Sequence, residues 1–403
     1  MKNVKQQLLW YSVVSVLVFG VTACASDSES TMSPPSGDEI VVEAEMASTR
    51  ASYPDAKNLT KFAINGINNG TQKWTIQNVV YTLNTTTNKW RGSKTYSWPA
   101  APTTLSFFAV SPAFDLFDKS KSTVQYGTVS MYYTLPANAA DQTDILYGSM
   151  LNQDRNTNNK KVTFTFKHGL SYQRFKGQNS LGSRYTVIVK SVTLCNIRPS
   201  GYMVYDQKTS NKVKWTVDTD AALYDATIEF KDASLNDGVT LKSTSDWLSS
   251  TDYLLTIPQG ITLWKTKGKI DDHVSIEDAQ AANMHYWKVY AKIIDTEDNN
   301  RYLLGNADNN DPENPEWGLV YMQSAQKTWN LGSTYQNTLN FSKTSFFTKD
   351  GINFFDALEA STGEAFEIIG ADNIETVVTT EEWGYEEDQE VDLEIDPDYE
   401  NNN

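Results

Sequence analysis

From residue 75 to residue 341 the chain is written in short runs of β-branched and aromatic residues, each closed by a cluster of Asn, Asp, Gly, Ser or Thr. This punctuation leaves room for little but strands. Examples are 75–81, 105–110, 162–166, 185–189, 253–257 and 286–293. β-branched side chains lose rotamer freedom in a helix yet pack well on a pleated surface. No long stretch keeps a 3.6-residue apolar period. The best helical candidate, Ser275 to His285, is short and runs into a strand-like segment. The expected fold class is therefore all-β, built of sandwiches. The Asn-rich stretch Leu151 to Lys160 is expected to form a hairpin loop before the strand at Val162. A domain boundary is expected near residues 176–184, where Lys176-Gly177-Gln178-Asn179 and Gly182 interrupt the strands.

The N-terminus reads as a targeting segment rather than as part of the fold. Lys2 and Lys5 precede an apolar run from Leu8 to Val21, which falls short of the roughly 20 apolar residues needed to span a bilayer. The run ends at Val21-Thr22-Ala23-Cys24, where small residues precede a cysteine. That arrangement resembles a bacterial lipobox, which implies residues 1–23 as a lipoprotein signal peptide and acylation of Cys24, holding the chain to a membrane. An ordinary signal peptide with an incidental cysteine is the plainer alternative. Residues 24–39 are small and polar and carry Pro34-Pro35, the composition of a tether without a core. Acidic residues just after the cysteine are similar to the surface-export signal of Bacteroidota lipoproteins.

With Cys24 acylated only Cys195 remains, so an intramolecular disulfide is excluded and apolar cores must hold the fold. The 403 residues, 39% hydrophobic and 12% aromatic, supply material for about two domains. The formal net charge of −16 is unevenly placed. Residues 375–403 hold twelve acidic and no basic groups, residues 1–50 contribute −3, and the body between them is nearly neutral. Nothing provides the basic footprint of a nucleic-acid-binding protein.

Catalytic chemistry has few residues to draw on. His168 follows a period-2 strand, His273 sits in a charged loop and His285 adjoins Tyr286-Trp287; each reads as structural or solvated. There is no HExxH spacing, no GxSxG elbow and no phosphate-cradling glycine loop. A pair of carboxylates would suffice for a glycosidase, but the acidic groups cluster in a tail. The loop Asn306 to Asn314 is rich in hard oxygen ligands yet lacks the EF-hand order, so a solvated turn is expected rather than a calcium site. No enzyme activity, cofactor or metal is expected.

Five blocks in order carry a resemblance. They are Trp90 with Tyr96-Ser97-Trp98-Pro99 and Leu105 to Pro112; Asp144-Ile145-Leu146-Tyr147-Gly148; Val162 to Leu170 with Phe166 and His168; Leu254 to Gln259; and Trp329 to Tyr335 with Thr338 to Phe341. Together they resemble the fimbrillin family of Bacteroidota, in its Mfa-like branch. Ser111 and Gly169 depart from the residues usual in that pattern, an aromatic and an alanine. The resemblance implies two transthyretin-like β-sandwich domains in tandem, here 40–180 and 181–403. It also implies export as a lipoprotein, cleavage after an N-terminal arginine, and polymerisation by strand exchange into a fimbrium on the outer membrane. Thr49-Arg50-Ala51 matches the family's cleavage motif, so processing is expected between Arg50 and Ala51.

The residues agree with that scheme. Ile40, Val42, Ala44 and Met46 alternate with Val41, Glu43 and Glu45, as in a half-buried strand, and cutting after Arg50 would remove it. The opened edge could then accept another strand. Val391, Leu393 and Ile395 alternate with Asp392, Glu394 and Asp396, a pattern suited to a donor; Ile374, Thr376 and Val378 form a second candidate strand in the acidic tail 374–403. A closing strand of the second domain followed by a solvated tail is the simpler reading. The expected partners are other fimbrial subunits, with a host or bacterial surface receptor as a further possibility. The competing function is a monomeric outer-membrane glycan-binding, anchor or tip lipoprotein of the same fold.

Overall fold

The computed structural model describes residues 38–46, 59–113, 117–125, 127–156, 160–206, 212–232, 237–264, 276–307, 316–324, 326–343, 346–348, 355, 368–370 and 374–379. The chain is all-β. Its first strands are β1 (Val41–Met46), β2 (Lys61–Asn68), β3 (Lys73–Asn84), β4 (Lys89–Gly92) and β5 (Leu105–Ser111). Next come β6 (Thr123–Gln125), β7 (Thr128–Thr134), β8 (Leu146–Gln153) and β9 (Lys161–His168). A central group follows: β10 (Ser171–Asn179), β11 (Tyr185–Ile197), β12 (Ser200–Asp206), β13 (Lys212–Val217) and β14 (Tyr224–Glu229). The short pieces β15 (Val239–Thr240), β16 (Asp246–Trp247), β17 (Leu254–Thr256) and β18 (Gln259–Gly260) lead to the helix α1 (Ile276–Ala281). Then come β19 (Tyr286–Asp295), β20 (Arg301–Leu304), β21 (Gly318–Met322), β22 (Thr328–Trp329) and β23 (Thr334–Phe341). The last are β24 (Phe346–Thr348), β25 (Ile368–Gly370) and β26 (Ile374–Thr379).

A seven-stranded sheet runs in the order β1-β9-β8-β5-β2-β3-β4, and β1 also meets β4, so the sheet curls towards closure. Its concave side holds one core, made of Phe62, Ile64, Phe107, Val162, Phe164 and Phe166 with their neighbours. Its other face supplies Phe108, Val110 and Tyr147 to a second core, shared with the sheet β13-β12-β7-β6. That double duty explains the unbroken apolar run in β5: every one of its residues is buried, Phe107 and Ala109 on one side, Phe108 and Val110 on the other. The third and largest core lies between the sheet β16-β10-β23-β26 and the sheet β14-β11-β19-β21-β25-β24. Strand pairing crosses the region of residues 176–184: β7 pairs with β12, and β10 pairs in parallel with β23.

The Asn-rich stretch does join β8 to β9, although Leu151, Asn152 and Gln153 belong to β8 itself. The helical candidate forms only α1, six residues whose Ile276 and Ala279 cover the outer face of β11 and β19 with Cys195, Trp264 and Tyr286. The two departures in the motif blocks have local causes. Ser111 donates from Oγ to the Lys61 carbonyl, at 2.8 Å, capping the end of β5 against β2. At Gly169 a Cβ would lie 3.0 Å from the Ile145 oxygen and 3.2 Å from the Met203 sulfur, so alanine would crowd the second core.

Candidate functional site

β1 occupies the edge of the seven-stranded sheet and runs parallel to β9, with Val42 opposite Val162, Ala44 opposite Phe164 and Met46 opposite Phe166. A parallel neighbour cannot be reached by a tight hairpin, and β1 indeed pairs with a strand about 120 positions away in sequence. Just upstream the segment changes partner. Ile40 N donates to the Tyr96 carbonyl and Trp98 N donates to the Asp38 carbonyl, both at 2.8 Å. Residues 38–46 thus lie between the Tyr96–Trp98 segment and β9.

The alternation read from the sequence is seen in the side chains. Ile40 and Val42 are each 4% exposed, and Ala44 and Met46 pack half-buried against the same core. Edge-to-face aromatic contacts floor the groove: Phe62 on Phe164 and Phe166, Phe107 on Phe164, and Trp98 on Phe107. Tyr81 also lines it, and burial first, then neighbouring Tyr96 and Glu39, pushes its phenol up to about 12. On the solvent side Glu43 pairs with Lys161 at 2.7 Å and Glu45 accepts from Thr165 Oγ1 at 3.2 Å. Asp38 faces Arg155 at 3.1 Å and Lys160 at 3.7 Å. Val41 points outward and, at 38%, is the exposed large apolar residue among those described.

Without β1, β9 would present a row of unpaired backbone groups beside an open apolar groove, the surface that β-augmentation fills. Sequence reasoning identified the strand but missed its seat. Lys161 and the Tyr96–Trp98 segment are the residues it overlooked. The available signal was the complementary pattern of β9, in which Lys161, Thr163 and Thr165 alternate with Val162, Phe164 and Phe166.

The motif blocks are spent on packing. Asp144 and His168, from two different blocks, bond to each other, and Tyr172 donates to Asp144 at 2.5 Å; all three are buried. Gln259 accepts from Arg198 N at 3.0 Å and donates to the Arg198 carbonyl at 3.1 Å. Tyr335 accepts from Asn330 N at 2.7 Å and donates to the Thr328 carbonyl at 3.1 Å. His285 accepts from Trp287 Nε1 at Nε2 and donates from Nδ1 to the Cys195 carbonyl, at 2.8 and 2.7 Å. Burial holds its pKa down at about 4. Burial likewise pushes the Cys195 thiol up to about 12. Among the described residues, no group of three or more His, Cys, Asp or Glu is placed to hold a metal ion.

The remaining expected site residues, Cys24, Arg50, Ala51, Val391, Leu393 and Ile395, lie outside the described residues, as do His273 and most of the loop 306–314. The second candidate strand is described: β26 pairs antiparallel with β23 of its own chain, Ile374 opposite Leu339 and Thr379 opposite Thr334.

A family profile described as fimbrillin-like matches residues 49–353. The solved structure of a fimbrial protein from Bacteroides vulgatus is similar, with a TM-score of 0.56 and 14% identity, covering 85% of this chain and 99% of that one. Another solved structure, from Bacteroides uniformis and provisionally named a cell adhesion protein, aligns with a TM-score of 0.44 and 14% identity over the same shares of the two chains. The first likeness is one of fold, and the second adds no argument. No curated protein matches the chain.

Proposed function

Because the chain belongs to the fimbrillin-like family, we propose that it is a structural and adhesive subunit of a cell-surface fimbrium and that its maturation works through β1. In this reading the precursor is exported as a lipoprotein held at the outer membrane by Cys24. Residues 24–39 form the tether, and 40–180 and 181–403 form two transthyretin-like sandwich units. Cleavage between Arg50 and Ala51 then severs the link between β1 and the rest of the fold. The observation that supports this is the seat of β1: Ile40 and Val42 fill an apolar groove at a sheet edge, and covalent continuity with β2 runs only through residues 47–60. Once cut, the strand is held by side-chain burial and edge hydrogen bonds alone, so a competing strand can replace it. Val391, Leu393 and Ile395 are the proposed donor residues, and other subunits the proposed partners.

A subunit with this role needs no catalytic centre, and the best-placed candidates for one, Asp144 and His168, are sealed from solvent. Arg50→Ala tests the reading. The variant is expected to accumulate as a folded, lipidated monomer, while wild type yields a polymer ladder that survives mild detergent and collapses on heating. Equal polymer from both would remove strand release as the trigger. A monomer in both that binds glycans on an array would favour the glycan-binding lipoprotein instead.

A further inference from the structure

We propose that the solvent face of β10 and β23 binds a carboxylated sugar chain, with the Lys176 ammonium, set against Trp247, meeting the sugar carboxylate. The inference rests on the adhesive part of the reading above, to which it adds the class of ligand, and on nothing about how subunits are joined.

Alternation divides the two strands into an inner and an outer face. Phe175, Leu339 and Phe341 enter the largest core, and a Cβ at Gly177 would meet Leu241 Cδ2 at 2.4 Å. Lys176 and Gln178 therefore face the other way, in register with Thr338 and Asn340. All four are partly exposed. An ammonium, a hydroxyl and two amides thus share one face of two strands about 4.8 Å apart, carried by a regular sheet rather than by loops. Gln178 Nε2 donates to the Ser243 carbonyl at 3.0 Å, and Asn340 Oδ1 accepts from Ser180 Oγ at 2.7 Å. These bonds orient the amides and leave Gln178 Oε1 and Asn340 Nδ2 unbonded among the described residues. Sugar hydroxyls both donate and accept, so one free acceptor beside one free donor suits them.

The charge on this face selects among sugars. Trp247 lies opposite Lys176 in the β16–β10 pair. Its ring holds two cations, Lys176 Nζ at 4.4 Å and the Arg174 guanidinium carbon at 4.0 Å from the centroid. Such a contact positions a cation without neutralising it. Arg174 is 8% exposed and donates from Nη2 to the Ser250 carbonyl at 3.0 Å, so it adds positive charge beneath the surface and Lys176 makes the contact. Among the described residues Lys176 has no carboxylate within ion-pair reach. Neighbouring Asp246 is bonded to Lys242, and Glu375 is two strands away in the same row, opposite Thr338. Three cations against two acidic residues make a positive spot on a chain whose formal net charge is −16. A neutral sugar would leave that surplus unanswered. A carboxylated one answers it at Lys176 while its hydroxyls reach the amides and Thr338.

Binding is read by calorimetric titration of the full-length chain in mild detergent at low salt. Polygalacturonate and polysialic acid are the carboxylated probes, and fully methyl-esterified polygalacturonate is the neutral one. The proposal predicts binding of a carboxylated probe, loss of that binding at high salt, and none of the ester. Lys176→Gln should weaken binding about tenfold, the size of one charge-assisted hydrogen bond, and Lys176→Glu should abolish it. Asn340→Asp, nearly isosteric and remote from the Trp247 ring contacts, should weaken it as well by setting a carboxylate against the ligand. Lys73→Gln, exposed on β3, should bind as wild type. Equal binding of acid and ester, equal weakening by Lys73→Gln, or no binding of either carboxylated probe would overturn the site. Failed binding beside a normal polymer ladder removes the site and leaves the subunit reading standing. Binding by a chain that yields no ladder does the reverse.

Discussion

Removing the side chains that seat β1 should loosen that strand selectively. Ile40→Ala with Val42→Ala deletes five buried carbons from positions that are each 4% exposed. At about 0.8 kcal/mol per buried methylene the gross loss is about 4 kcal/mol. At 1.4 kcal/mol per decade this shifts undocking of β1 by nearly a thousandfold. The effect has a ceiling: residues 47–60 separate β1 from β2, so β1 can leave alone, and once it does, further truncation costs nothing more. The assay is native-state hydrogen exchange on the uncleaved chain. Amides of residues 40–46, and the β9 amides that face them, should exchange up to about a thousandfold faster in the double variant. β11 and β19, in the largest core, should be unaffected. Uniform acceleration across all strands would mean that β1 unfolds only with the whole domain. Unchanged exchange in β1 would mean the two side chains do not anchor it. Either result refutes the idea of a separable edge strand.

Deleting residues 389–403 should leave monomer melting nearly unchanged and stop growth of the polymer; a monomer that unfolds instead would make the segment an internal strand. Cys24→Ser should abolish labelling by a palmitate analogue and strand the precursor before the surface, and label persisting on the variant would exclude that cysteine as the acylation site. Acid should weaken the fold through His285. Its pKa is held down at about 4 by burial, against an ordinary 6.5, so between these values the unfolded chain binds the extra proton. Stability present above pH 6.5 should fall by an amount on the order of 3 kcal/mol as pH drops towards 4. His285→Gln should be less stable at pH 7 but show a flatter dependence over that window in urea unfolding, and identical slopes would exclude His285 as the source.

Local pattern made much of this fold legible, and distance hid the rest. The period-2 alternation at Ile40, Val42, Ala44 and Met46 exposed a strand because side chains on a strand alternate faces whatever its partner. That its partner is β9, in parallel, depends on a pairing with residues 161–166 that no local signal encodes. Leu105 to Val110 read as a strand, but its burial on both faces follows from the sheet β13-β12-β7-β6 stacking on it. The run at Tyr253 to Ile257 forms only the three residues of β17, which are the ones that pair with Ser171, Tyr172 and Gln173 of β10. Lys161 was invisible as a site residue: a lysine at a strand start is ordinary until Glu43 is found 2.7 Å away. The roles proposed for Cys24 and Arg50 are legible only as motif, since each would act through what is done to the chain rather than through its packing.

The central claim is that β1 is removed before the subunit enters a filament. Mass spectrometry of the chain recovered from filaments sheared off the cell surface tests it most directly. The account predicts an N-terminus at Ala51, with no peptide from residues 38–46 in stoichiometric amount. An acylated N-terminus at Cys24 in the assembled filament, with residues 38–46 still attached, would contradict it.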